Sequence, residues 1–319
     1  MSQIYKNSEG KYYKLPENHP IVSLIYVLLL IFAGSLLLSF IAIGVGYLIY
    51  GPTILQLLPA IIAGEEPSKA DFIKLYQVLA SIGTFLIPTY LLSRIEAKRT
   101  TYLNFSLPSP SRLLFLAVAV MFASIPLLEL SIIINLKMQL PEYLSAVESW
   151  MKTKEEEMEK LTVLLLSTTT YSGLAFNLFV IAVMPAIGEE LLFRGVLQNI
   201  FYRWMKNPHI TIWFVAILFS AIHVQFYGFL PRMLMGALFG YLYYWGKSIW
   251  LPILAHFVNN AYATIYSFIL LRQGMSFEEI NEATTSNWFL YVLSFIGTAI
   301  IIYYFWQSSE NEKSKLNPI

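Results

Sequence analysis

The chain has 319 residues, 57% apolar and 13% charged, where soluble domains run near 45–50% and about 25%. That balance excludes an ordinary water-soluble domain, and a net charge of +1 leaves no basic surface for nucleic acid. The absence of cysteine excludes disulfides, thiolate metal sites and a thiol nucleophile, so any catalysis must use oxygen or nitrogen groups.

A bilayer core about 30 Å thick needs roughly 20 apolar residues per helix, because lipid offers no partner to unpaired backbone groups. Eight runs meet that need, near 21–50, 73–93, 113–136, 172–204, 210–228, 230–246, 249–271 and 287–306. The first is too long for a cleaved signal segment and reads as a retained span. Pro52, Pro108, Pro110, Pro208, Pro231 and Pro252 fall at or near expected helix ends, where a missing N–H does least harm. The apolar piece Ile54 to Ala63, interrupted by Pro59, is too short to span and reads as interfacial or re-entrant. Leu140 to Leu166, with Glu155, Glu156, Glu157 and Glu159 among lysines, reads as a surface helix with a solvated acidic face.

These runs specify an all-α integral membrane protein, a bundle of about eight transmembrane helices. It divides into an N-terminal segment (1–20), N-terminal helices with the acidic connecting helix (21–171), a polar-bearing core (172–272), and a last helix with its tail (273–319). Of the basic residues in loops and tails, Lys6, Lys11, Lys14, Arg94, Lys98, Arg99, Arg112, Arg203, Lys206, Lys247, Lys313 and Lys315 share one side, and Lys69, Lys74, Lys137, Lys152, Lys154, Lys160, Arg232 and Arg272 fall on the other, half of them in the one long acidic loop that counts least. The positive-inside rule then puts both termini in the cytoplasm of a multi-pass protein of the cell membrane.

Ionisable groups inside the later runs collect in three places. The fourth run holds Glu189, Glu190 and Arg194; the fifth holds Phe219 and His223; the seventh holds His256, Asn259 and Asn260. Unpaired, the two carboxylates and the guanidinium would cost on the order of 8–10 kcal/mol at mid-bilayer, so they must face protein or water. Glu190 and Arg194, four apart, can pair on one helix face. Glu189 points about 100° away from Glu190 and stays available. His223 alone would suit an interior hydrogen bond, and His256 with Asn260 would suit contact between helices. A carboxylate, two imidazoles and an amide on neighbouring helices suit a site.

Peptide hydrolysis needs a base for water, donors for the oxyanion and a proton for the leaving amine. Glu189 can be the base, since a carboxylate half withdrawn from water is a better base and afterwards a competent acid. His223 can hold the same water, His256 and Asn260 can donate to the oxyanion, and Arg194 can fix Glu190. Asn259 lies off that face. In a metal version, zinc would sit on Glu189, His223 and His256, although no HExxH helix is present. The preferred mechanism needs no cofactor.

Glu189-Glu190 with Arg194, Phe219 with His223, and His256 with Asn260 reproduce the motifs EExxxR, FxxxH and HxxxN in order. Here the chain resembles the CAAX-protease and bacteriocin-processing family, called CPBP or Abi, over roughly Ala175 to Ala263. The resemblance implies an eight-helix membrane fold and cleavage of a membrane-associated peptide or protein. It also implies the first glutamate and first histidine on the water, with the second histidine and the asparagine on the oxyanion. Members are read as metalloproteases or as glutamate-dependent, and some serve as scaffolds or in bacteriocin self-immunity. A scaffold or immunity protein on the same fold is therefore the rival reading. A transporter would show interrupted repeats, and none is visible.

Tyr241-Leu-Tyr243-Tyr244-Trp245 and Tyr303-Tyr304-Phe305-Trp306 read as interfacial belts, and Gly236 with Gly240 reads as a close helix contact.

Overall fold

The computed structural model describes residues 5–6, 12–13, 17–96, 102–277, 279 and 287–316, with side chains described only between 17 and 311. Lys11, Lys14, Lys98 and Arg99, which enter the orientation reading, lie outside the described residues. So do the side chains of Lys6, Lys313 and Lys315.

Helices occupy each of the eight predicted runs, the fifth only as far as Ala221. The elements are α1 (Pro20–Tyr50), α2 (Thr53–Ile62), α3 (Pro67–Ile95), α4 (Arg112–Leu136), α5 (Ser145–Leu166), α6 (Tyr171–Met205), α7 (Pro208–Ala221), α8 (Phe229–Gly246), α9 (Trp250–Arg272) and α10 (Trp288–Leu316). A two-residue antiparallel ladder pairs Tyr5–Lys6 with Tyr12–Tyr13. Among the described residues, α1, α3, α4, α6, α9 and α10 are long and apolar enough to cross a membrane. The fold is a helical membrane bundle, and the protein is multi-pass. The short α2 and the amphipathic α5 lie where the sequence places a re-entrant and a surface piece.

Local chemistry sets the ends. His19 accepts from the Ile21 N–H at the start of α1, Thr170 from Gly173 at the start of α6, and Asn207 from His209 and Ile210 at the start of α7. Gly51 stops α1 at φ 74°, a conformation that favours glycine.

The fifth predicted run, 210–228, is a correction. Its helix ends at Ala221, and the chain turns through Val224 at φ 53° into α8. The reason is local: the His223 ring nitrogen Nδ1 lies 2.7 Å from the Phe219 carbonyl, so the side chain occupies an acceptor of the last turn. His223 therefore sits in a turn and not in a helix interior.

Core packing runs along α6, whose buried residues Leu192, Phe193, Val196 and Ile200 meet Val27 of α1 and Val215 and Phe219 of α7. A second cluster joins α4, α8, α9 and α10 through Met121, Phe239, Leu251 and Phe305. Where α1 crosses α3 the backbones nearly touch, since a Cβ on Gly34 would run into the Gly83 carbonyl oxygen.

Candidate active site

The site is built on irregular turns of α6. Two stretches, Leu178–Val183 and Leu191–Leu197, are π-helical and flank the segment Met184–Glu190. Pro185 explains the first. It has no N–H to offer the Ile181 carbonyl, so the ladder is broken one turn before Glu189. The carbonyl does not go unpaired, because Asn260 of α9 donates its Nδ2 to it at 2.9 Å. Asn259 orients that amide by donating to the Asn260 Oδ1 at 3.0 Å.

Glu190 faces inward. Its Oε1 accepts from Arg194 at 2.9 Å and lies 2.8 Å from His256 Nδ1, and both Glu190 and Arg194 are fully buried. Arg194 also donates to the Gly236 carbonyl of α8 at 2.8 Å. Its guanidinium lies 4.7 Å from the Phe219 ring centroid and 5.4 Å from that of Phe239, so aromatic faces absorb part of the buried charge. The same two rings brace His256: Phe239 stacks on it at 5.2 Å and Phe219 meets it edge-on at 6.1 Å. One ion pair thus ties together α6, α8 and α9. The expected i, i+4 pair forms, and its link to His256 is an addition to it.

Glu189, on the adjacent face, accepts no hydrogen bond among the described residues. It lines a cavity of about 470 Å³ shared with His223, His256 and Asn260. All four sequence-predicted residues therefore border one space, with Phe219 on its wall and Glu190 and Arg194 behind it. His223 presents Nε2 as an acceptor if Nδ1–H donates to the Phe219 carbonyl. By the same count, His256 Nε2 accepts when the ring is neutral and donates only as the imidazolium.

Several cavity residues escape a reading by motifs. Arg232, counted among loop charges in sequence, lines the cavity and is held by Gln225, whose carbonyl and side-chain oxygens accept from its guanidinium. An arginine just inside an apolar run, after Pro231, is the one available signal for it. Asn259 borders the cavity beside Asn260. Gln77 of α3 and Thr162, Leu165 and Leu166 of α5 close the far wall, so the cavity extends beyond residues 172–272. Glu155, within the acidic run, accepts from the Tyr227 N–H at 3.2 Å instead of serving only as a solvated face.

Among the described residues, no three His, Asp or Glu side chains stand close enough to hold a metal ion. The donor set as placed does not fit the zinc version, and no step below passes through a metal.

Residues 171–262 match the family model described as Type II CAAX prenyl endopeptidase Rce1-like. That stretch contains all three motifs, so the resemblance read from them is borne out. The chain is 29% identical over 89 residues to the uncharacterized protein YpbD of Bacillus subtilis, covering 27% of this chain and 42% of that one. It is 26% identical over 120 residues to the membrane-embedded CAAX protease MroQ of Staphylococcus aureus, covering 36% of this chain and 46% of that one. The matched part thus spans less than half of either relative. No solved structure matches significantly.

Proposed function

We propose that the protein is an intramembrane endopeptidase that hydrolyses a peptide bond of a membrane-associated peptide or protein. The observation that carries this reading is that Glu189, which accepts no hydrogen bond among the described residues, shares one cavity with His223, His256 and Asn260. The match of residues 171–262 to a protease family supports it.

In this mechanism Glu189 takes a proton from a water that His223 positions through Nε2, and the hydroxide adds to the scissile carbonyl carbon. The oxyanion is met by the second N–H of Asn260 and by His256 Nε2–H, the imidazolium charge being balanced by Glu190 behind the ring. The C–N bond then breaks, and Glu189 returns the proton to the leaving amine. Arg232 adds a fixed positive charge to the cavity wall, which favours the anionic intermediate.

We further propose that both termini are cytoplasmic, on the strength of the basic residues in the short loops on that side. The test of the enzymatic reading is cleavage of a membrane-peptide library by the purified chain and by Glu189→Gln, each with and without a chelator. Wild-type cleavage that survives the chelator and falls by roughly 10²-fold or more in Glu189→Gln supports it. Full activity in the variant would overturn it.

A further inference from the structure

The cavity that Glu189 shares with His223, His256 and Asn260 encloses about 470 Å³. If round, it is about 10 Å across, the length of roughly three extended residues. A peptide bond brought to Glu189 carries chain on both sides of it, so an endopeptidase of this build has to move a wall to admit its substrate.

The walls differ in how they are held. The buried Glu190–Arg194 pair, with its contacts to Gly236 and His256, joins α6, α8 and α9, and α3 is pressed on α1 where Gly83 meets Gly34. Helix α5, which gives Thr162, Leu165 and Leu166 to the cavity, is held more lightly. Of its 22 residues only Met151, Leu164 and Leu165 are buried, and the two leucines rest on apolar side chains of α2 and α3 through contacts that have no fixed direction. Its polar fastenings lie at the rim. Glu155 accepts from the Tyr227 N–H at 3.2 Å, and Lys160 stands 3.7 Å from Glu65 with both side chains more than half exposed, a kind of pair that holds weakly. Non-helical links at residues 138–141 and 167–170 flank the helix, and such links absorb the backbone rotation of a hinge.

We propose that α5 is the substrate gate of this cavity, an inference that rests on the endopeptidase reading above. The helix lifts from α2 and α3 as a unit about its two links, admits an extended peptide segment between its last two turns and α6, and closes over Glu189 for hydrolysis. Its amphipathic make-up suits both positions, since its charged face stays in water while Leu164 and Leu165 pass from the surface of α2 and α3 to lipid or substrate. The closed position has a stop. A Cβ on Gly64, in the turn between α2 and α3, would lie 2.9 Å from the Leu161 nitrogen, so the backbone of α5 seats directly on that turn.

The chain has no cysteine, so introduced thiols are unique and the gate can be locked. In Glu65→Cys/Lys160→Cys, a short reducible bis-methanethiosulfonate linker ties α5 to the turn between α2 and α3 at residues outside the cavity lining. Cleavage of the membrane-peptide library is expected to fall roughly tenfold or more on linking and to recover on reduction, with each single-cysteine variant unaffected by the reagent. Equal cleavage by the linked and the reduced protein would overturn the gate. A second readout needs no cleavage. Gln77→Cys puts one thiol on the cavity wall, and its labelling by a bulky fluorescent maleimide is expected to be about three- to tenfold faster when Glu155→Ala and Lys160→Ala loosen α5. An unchanged labelling rate would also overturn the gate. Faster labelling in a chain that cleaves no library peptide supports the gate and counts against the protease reading alone.

Discussion

His256 Nδ1 stands 2.8 Å from Glu190 Oε1, so the second carboxylate of the EExxxR motif is shared between Arg194 on its own helix and a histidine on another. Removing the carboxylate leaves a fully buried guanidinium without its counter-charge. Glu190→Gln is therefore expected to lose about 3–5 kcal/mol of stability. Glu189→Gln, which removes no hydrogen bond among the described residues, should leave stability nearly unchanged. Denaturant unfolding in detergent compares the two, and equal stabilities would show that Glu190 is not the structural member of the pair.

Gly240 holds α8 against α7. A Cβ there would lie 2.8 Å from Ile212 Cγ2 and 3.1 Å from Gln198 Oε1, both on buried residues. Gly240→Ala should destabilise by about 1–3 kcal/mol through overpacking. Gly44, where an added methyl would meet nothing within 4 Å, is the control, and Gly44→Ala should be neutral or mildly stabilising. Thermal unfolding midpoints of the two variants separate a packing role from general sensitivity of glycine.

Glu96, at the end of α3, is fully buried and accepts from Asn18, Ser23 and Tyr102, while Arg203 of α6 donates to Tyr102 and Ser23. This cluster ties the start of α1 to the ends of α3 and α6 through Tyr102, which lies in the loop between α3 and α4. Burial, reinforced by the hydrogen bond to Glu96, pushes the Tyr102 phenol well above its ordinary range. A raised folded pKa gives stability that is whole below the unfolded value, near 10, and is lost as pH rises toward the folded value. Stability should fall by up to about 1.4 kcal/mol per pH unit above about pH 10, and Tyr102→Phe should flatten that slope. Unfolding measured across alkaline pH checks the sign.

The helical runs are legible because lipid demands long apolar stretches, and Glu189, His223, His256 and Asn260 are legible because polar groups in such stretches stand out. What sequence does not reveal has physical causes too. The end of α7 depends on a ring nitrogen of His223 reaching the Phe219 carbonyl, a contact that hydropathy does not encode. Charge counting sends an arginine near a helix end to water and so puts Arg232 in a loop, whereas Gln225 holds it at the cavity. Phe239 carries no signal at all, since one phenylalanine in an apolar helix looks like any other, yet it stacks on His256. The convergence of Tyr244, Trp245, Tyr303 and Trp306 depends on α8 and α10 meeting, which local pattern does not specify.

Pro185 and Asn260 make a coupled pair across α6 and α9. Proline leaves the Ile181 carbonyl without its helical donor, and the asparagine supplies one at 2.9 Å. Asn260→Ala alone should leave that carbonyl unpaired and cost about 1–3 kcal/mol. In a Pro185→Ala background the restored N–H can close the ladder, so the same substitution should cost less, giving a coupling of about 0.5–3 kcal/mol in a double-mutant cycle. Activity separates the two roles of the amide. If Asn260 also donates to the oxyanion, the double variant regains stability but stays impaired in cleavage, because nothing replaces the second N–H facing the cavity. Recovery of both together would make Asn260 a purely architectural residue, and the oxyanion would then fall to His256 and Arg232.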